Sequence, residues 1–143
     1  MRISTRGRYS LEALLYMALL PEGVFVSTRG IADGTGISER YLEQLLIPRR
    51  RAGIVQGARG PNGGFVISDS PANITAGRIL RTVEGSLMPV PCVKDGACEK
   101  EADCGSRNTW SEMFVAINTC IDAITLADLV AAYHALDNED YVI

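Results

Sequence analysis

The period of the apolar positions changes several times along this chain. Between Tyr9 and Leu20, the residues Leu11, Leu14, Leu15, Ala18 and Leu19 recur three and four apart. That is one face of a helix, and Pro21 and Gly23 close it. A short second helix is predicted over "TRGIADGT", with Ser27 as its cap. Gly36 then supplies a turn, and Ile37 returns to the core. Ser38 heads a third helix, "ERYLEQLLIPRRRAG", whose Leu42, Leu45 and Leu46 share a face. Pro48 is expected to kink it or to end its regular part near Ile47. The period then drops to two. "GIVQGA" and "FVIS" read as strands joined by the turn "RGPNGG", a hairpin. "NITAGRILRTVEG" returns to helical spacing, with Ile79, Leu80 and Val83 inward.

After Gly85 the periodicity lapses until about Ser106, a gap long for a small domain and usually functional or disordered. Beyond it Trp110, Phe114, Ile117, Ile121 and Ile124 stand four, three, four and three apart. This is a heptad seam, and it predicts a homodimer interface along a long helix. Thr125 and Asp128 form a capping-box pattern before a last helix, "LADLVAAYHAL". The expected fold is mainly α: a winged helix-turn-helix DNA-binding domain over 1–85, a cysteine-bearing loop over 86–105, and a dimerisation helix with a C-terminal helix over 106–143. Two short helices about a glycine turn, followed directly by a hairpin, carry that expectation.

Charge sharpens it. The net charge is −3, but residues 1–64 hold nine arginines, no lysine and five acidic residues, whereas residues 65–143 hold five cations and twelve acidic residues. A basic half on an acidic remainder suggests one face for a polyanion, here a double-stranded DNA operator. The third helix would enter the major groove with Ser38, Arg40, Glu43 and Gln44 exposed. Arg40 suits guanine and Gln44 adenine. Glu43 is repulsive toward phosphate unless it accepts from a cytosine amine or has other work. Arg59, beside Gly60 and Pro61 on the wing tip, suits the minor groove. Arg2, Arg6 and Arg8 could clamp flanking phosphates. A symmetric dimer would read half-sites about 34 Å apart or a multiple of that. The N-terminus shows no signal peptide, and no stretch approaches the ~20 apolar residues of a membrane span. The expectation is a soluble cytoplasmic protein. No catalytic base near the loop, nucleotide-binding glycine motif or serine nucleophile pattern points to an enzyme.

Three of the four cysteines, Cys92, Cys98 and Cys104, fall in the unpatterned gap with five residues between each pair. Gaps of two to four suit a zinc knuckle. Three thiolates in a wide loop suit an iron–sulfur cluster, which needs four protein ligands, and Gly96 and Gly105 would let the backbone turn around it. The acidic neighbours Asp95, Glu99, Glu101 and Asp103 argue against a free low-pKa thiolate. A thiol redox switch is the rival reading.

Several of these stretches, in this order, resemble one family of winged-helix transcription regulators. "STRGRYSLEAL" is similar to its opening helix, "ISERYLEQLL" to its recognition helix, "ARGPNGGFVIS" to its wing, "ITAGRILRTVEG" to its fourth helix, C-x5-C-x5-C to its cluster loop and "ITLADL" to the start of its last helix. The family includes the iron–sulfur cluster regulator IscR, the nitric-oxide sensor NsrR and the cluster-free regulator of cysteine metabolism CymR. The resemblance implies a dimeric DNA-binding regulator, with an iron–sulfur cluster, [2Fe–2S] in preference to [4Fe–4S], on Cys92, Cys98 and Cys104. It also implies control of cluster-assembly or redox-stress genes, or a thiol- or nitric-oxide-responsive repressor instead. Two positions depart from the family. Where IscR has a ligating histidine this chain has Arg107, and where NsrR has a ligating aspartate it has Arg8; an arginine stays protonated and cannot ligate. Glu43 is the expected fourth ligand. Glu12, Cys120, Asp103 and His134 are the other donors, Cys120 reading also as a small core hydrophobe.

Overall fold

The computed structural model describes residues 1–94 and 98–139. Asp95 and Gly96, named above, lie outside the described residues. Helix α1 spans Thr5–Leu19 and begins four residues ahead of Tyr9, where the pattern opens. The Ser4 hydroxyl caps it by accepting from the Gly7 N–H at 3.1 Å. The buried stripe is Gly7, Ser10, Ala13, Leu14 and Met17, while Leu11, Leu15, Ala18 and Leu19 are half-buried. The stripe is therefore rotated from the expected leucine face. Small residues on it let neighbours come close: Gly7 faces Glu84, and Ser10 faces Arg49.

Helix α2 (Thr28–Thr35) is capped by Ser27, whose hydroxyl accepts from the Gly30 N–H at 3.0 Å. It ends at Gly36 with φ 76°, a left-handed turn that glycine adopts without a Cβ penalty. Helix α3 (Glu39–Arg51) is capped by Ser38. Pro48 does not end it near Ile47, one of the two outcomes expected, and the helix runs on to Arg51. Leu45, Leu46 and Arg49 are buried on either side of the proline, and the Ala52 N–H donates to the Pro48 carbonyl at 3.0 Å. Packing of that face outweighs a lost hydrogen bond and ring clash of ~3 kcal/mol.

Strands β1 (Val55–Ala58) and β2 (Gly64–Ile67) pair antiparallel, Val55 opposite Ile67 and Ala58 opposite Gly64. The sequence pattern did not reveal the segment that roots them. Val26 bridges Phe65, with N–H to carbonyl distances of 2.9 and 2.8 Å, so the wing is anchored just ahead of α2. Helix α4 (Ala76–Glu84) follows, capped by Thr75.

The long helix α5 covers Arg107–Ala123 and the last helix α6 covers Leu126–Glu139. The capping box at Thr125 forms as predicted: its N–H donates to Asp128 at 2.8 Å and its hydroxyl accepts from the Asp128 N–H at 3.1 Å. Just ahead of α4 and α6 the backbones cross-pair, Ala76 to Ile124 at 2.8 Å and Leu126 to Ile74 at 2.7 Å. That pairing draws α6 into the core formed by α1–α4, where Leu126 is buried with Leu14, Ile31, Leu42, Leu45, Ile54 and Ile79. Helix α5 stands outside this core and has no buried residue. Arg81 holds it to α4 through a two-pronged contact with Asp122, both distances 2.8 Å, and through Asn118 at 2.6 Å.

Candidate nucleic-acid interface and cysteine loop

Helix α3 buries Leu42, Leu45, Leu46 and Arg49 and leaves Arg40, Glu43, Gln44 and Ile47 exposed on the opposite side. Ser38 sits at its head. Its oxygen accepts from the Tyr41 N–H at 3.3 Å, which leaves the hydroxyl hydrogen free to point outward. Four of the expected DNA contacts, Ser38, Arg40, Glu43 and Gln44, thus share one open helix face. Arg59, Gly60 and Pro61 are exposed on the wing tip. Arg2 and Arg8 are exposed and flank a cleft at the head of α1 with Ser4 and Thr5.

The run Arg49–Arg51 looks uniform in sequence, and the fold splits it. Arg49 is buried, only 1% exposed. It donates to the Leu45 carbonyl and to the Ser10 hydroxyl, both at 2.5 Å. Burial, aided by the nearby Arg6 charge, pulls its pKa down to about 10, so it stays protonated at neutral pH. Arg50 instead lies against Gly57 and lines a cleft of about 380 Å³ between the wing and the start of α2, together with Ser27, Thr28 and Arg59. Two guanidinium groups beside a helix N-terminus make this cleft suited to a phosphate. Arg50 escaped the sequence reading because only folding distinguishes it from its neighbours. Arg51 is exposed.

The cysteines lie across one connection. Cys92 is in the 3₁₀ turn Pro91–Val93, which packs against α5, while Cys104 comes three residues before α5 begins. Cys92, Cys98 and Cys104 are each half-buried. The Ser106 hydroxyl lies 3.4 Å from the Cys104 sulfur and accepts from the Trp110 indole N–H at 3.2 Å. Hydrogen bonding from Ser106, side chain and then backbone, lowers the Cys104 pKa below the ordinary thiol range, with smaller help from the Arg107 backbone and the Lys100 charge. The acidic neighbours named above are not among the causes of that shift. Arg107 pairs with Glu101, closing the second half of the loop.

The remaining donors are scattered. Cys120 is exposed on α5, so it is not the small core hydrophobe of the bland reading. His134 is exposed on α6 against Tyr133. Glu12 lines a cleft with Tyr16, Gly34 and Tyr133. Among the described residues no three His, Cys, Asp or Glu side chains are gathered as a metal site. Helix α3, which carries Glu43, packs on α1, α2, α4 and β1.

A helix-turn-helix with a rooted wing and open arginines is the architecture of a winged-helix DNA-binding transcription regulator. Residues 3–132 match the Rrf2 family, described as iron-dependent transcriptional regulators. The chain belongs to that family of transcriptional regulators. It is similar to the transcriptional regulator CymR of Bacillus subtilis (strain 168), 38% identical over 142 residues, covering 99% of this chain and 98% of that one. It is also similar to IscR of Escherichia coli O1:K1 / APEC, 32% identical over 137 residues, covering 96% and 85%. Among solved structures it is similar to CymR (YrzC), the global cysteine regulator of B. subtilis, with TM-score 0.78 and 37% identity over 92% of this chain and 98% of that one. It is likewise similar to T. potens IscR, with TM-score 0.74 and 32% identity over 93% and 88%. No helix among the described residues is long and apolar enough to cross a membrane.

Proposed function

We propose that this regulator senses an iron–sulfur cluster held by Cys92, Cys98 and Cys104 and that cluster occupancy sets its grip on operator DNA. The observation that carries this is the loop itself: three half-buried thiols between α4 and α5, with Cys104 biased toward thiolate by Ser106. Thiolates are the donors such clusters use. When bound, the cluster would supply redox-active iron, and [2Fe–2S] is the preferred form. The cysteines hold it, and Arg107, already paired with Glu101, braces the loop instead of ligating.

Glu43 is proposed as fourth ligand only as a group delivered by a second copy of the chain, because α3 packs on elements other than the loop. Its place between Arg40 and Gln44 supports a second role, accepting from a cytosine amine on the DNA face. The DNA contacts are proposed to be Ser38, Arg40 and Gln44 in the major groove, Arg59 with Gly60 and Pro61 at the minor groove, and Arg2 and Arg8 on flanking phosphates. The chain is proposed to act as a cytoplasmic homodimer through α5. Its seam residues Trp110, Phe114, Ile117 and Ile121 are only half-buried, and Met113 and Val115 beside them are 42% and 61% exposed. Apolar area of that kind needs a cover.

The lowered Cys104 pKa also supports a thiol redox or nitric-oxide response as the second reading. Iron and sulfide analysis with visible spectroscopy on anaerobically isolated protein separates the two. The first reading expects brown protein, colourless after Cys92→Ser, Cys98→Ser or Cys104→Ser, with Glu43→Ala altering the spectrum. Loaded and unloaded protein should then differ in DNA affinity, a tenfold change requiring about 1.4 kcal/mol of differential binding. Colourless wild-type protein that cannot be reconstituted without oxygen removes the first reading.

A further inference from the structure

The last residue of α4 reaches the first residue of α1's cap. Glu84 Oε1 accepts from the Ser4 backbone N–H at 2.9 Å and from the Ser4 hydroxyl at 2.6 Å. The same hydroxyl oxygen caps α1 through the Gly7 N–H. A Cβ at Gly7 would collide with the Glu84 carboxylate, so glycine there makes the approach possible. The carboxylate is thus seated over a helix N-terminus, where the backbone dipole favours a negative charge. One residue later, Gly85 turns the chain into the cysteine loop, seven residues ahead of Cys92.

Helix α1 is in turn fastened to α3 at two places. The Tyr9 and Tyr41 rings meet edge to face, centroids 5.7 Å apart. The Ser10 hydroxyl donates to the Arg6 carbonyl at 2.6 Å and accepts from Arg49 at 2.5 Å. The first turn of α1 also carries Arg6 and Arg8, both exposed. A single carboxylate therefore stands between the loop on one side and, on the other, the arginine-bearing turn and the DNA-reading helix.

We infer that Glu84 is a positioning residue for DNA binding: by clasping Ser4 it sets the arginine-bearing turn of α1 and the packing of α3 behind it, and the state of the cysteine loop reaches the DNA face by loosening or tightening this clasp. The second half rests on the proposal that the loop holds a cluster. The first half needs only the DNA-binding fold.

Full-length variants are measured on a duplex that the wild-type protein selects from a random-sequence pool. Ser4→Asp keeps a capping oxygen but sets a second carboxylate against Glu84. Glu84→Ala removes the clasp outright. In cluster-free protein both are expected to weaken binding about tenfold and to flatten the log–log salt dependence by about one to two phosphates' worth. Joining Glu84→Gln to Ser4→Asp restores a donor opposite an acceptor and should bring affinity and slope back to within about threefold of wild type. A role confined to stability would leave the salt slope unmoved. If Glu84→Ala does not fold, Ser4→Asp decides: wild-type affinity and slope in that variant overturn the inference. In loaded protein, Ser4→Asp should leave iron, sulfide and visible spectrum unchanged while bringing loaded and unloaded affinities within about twofold of each other. A wild-type ratio there overturns the transmission half. If wild-type protein takes up no cluster, the sensing proposal fails by itself, and the cluster-free measurements alone judge the clasp.

Discussion

Helices α1–α4 with the wing, and the loop with α5, are built on opposite terms. The first region holds nearly all of the interior. Among the described residues, Leu87 and Leu126 are the only buried hydrophobic side chains after Gly85. Leu126 belongs to the first region's core despite its place in the chain. Helix α5, at 17 residues, buries none. A helix of that length gains most of its stability from tertiary packing, and here its lasting ties to the head are polar, Arg81 with Asp122 and Asn118. The head therefore has what it needs to keep its shape within one chain. The loop and α5 instead leave apolar side chains and thiols without such an interior, as the proposed second copy at the seam and the proposed cluster on the cysteines require. That division suits a sensor, since the part that must change is the part with the least to lose on changing.

The sharpest way to test this contrast is to cut each region's apolar contacts equally. Leu45→Ala, in the fully buried α3 face, should lower stability by about 2–5 kcal/mol, because the cavity left behind adds to the lost transfer energy. Chemical denaturation should show this at every protein concentration. Phe114→Ala, in the half-buried seam, should show a loss that fades as protein is diluted. Equal, concentration-independent losses at the two sites would erase the distinction.

The second test breaks the seam. Phe114→Asp places a carboxylate where the proposed dimer buries a ring. Sedimentation should show dimer affinity reduced at least about a hundredfold, or ~2.7 kcal/mol, with the head's circular dichroism intact. An unchanged molar mass would mean that α5 is covered by something other than its twin.

Much of the head could be read in advance, for reasons that differ from the reasons the rest could not. Ser27, Ser38 and the Thr125–Asp128 box act within three residues of themselves, so local pattern reveals them. The wing announces itself through its glycine-rich turn and alternation. What escaped is long-range. The Ser4–Glu84 clasp spans 80 residues and leaves no periodic trace. The root of the wing at Val26 is a single bridge, too short for any alternation to show. The start of α1 was read late because its inward stripe is glycine, serine and alanine, which a search for leucines passes over. Pro48 was given too much weight because its local penalty is visible and the burial that overrides it is not. In the loop, spacing identified the three thiols but not the Ser106 contact that tunes one of them.

The third test moves to the head's working surface. Arg59→Ala should weaken DNA binding by about 1–3 kcal/mol in a salt-titrated gel shift, with folding unaffected because the residue is exposed and no core contact is lost. An unchanged affinity would take the wing tip out of the interface and leave the cleft at Arg50 as the wing's contribution. The contrast is sharpened if Arg59→Ala acts alike on loaded and unloaded protein, since the Glu84 clasp that would carry the loop's state bears on α1 and not on the wing.

The smallest effect is on the polar ties that hold the second region to the first. Hydrogen bonding to Arg81 keeps Asp122 below the usual carboxylate range, and the Thr125 backbone does the same for Asp128. A depressed folded-state pKa gives stability that is present above the unfolded value, ~3.9 for aspartate, and that is lost as pH falls through the lower folded value. The Arg81 shift is upward and leaves its charge in place throughout. The attachment of α5 to α4 should accordingly hold at neutral pH and loosen in acid, below about pH 4, while the core around Leu45, whose titrating partner Arg49 keeps its charge in acid, persists further. Both partners of the pair are well exposed, 35% and 46%, so solvent screens it and the change is modest. Hydrogen exchange resolved by region should show protection in α5 declining with acid before protection in α3, and Asp122→Asn should remove that pH dependence from α5 while leaving α3 as it was. Simultaneous loss in both helices would mean that the two regions share one cooperative unit and that their difference in burial has no counterpart in how they open.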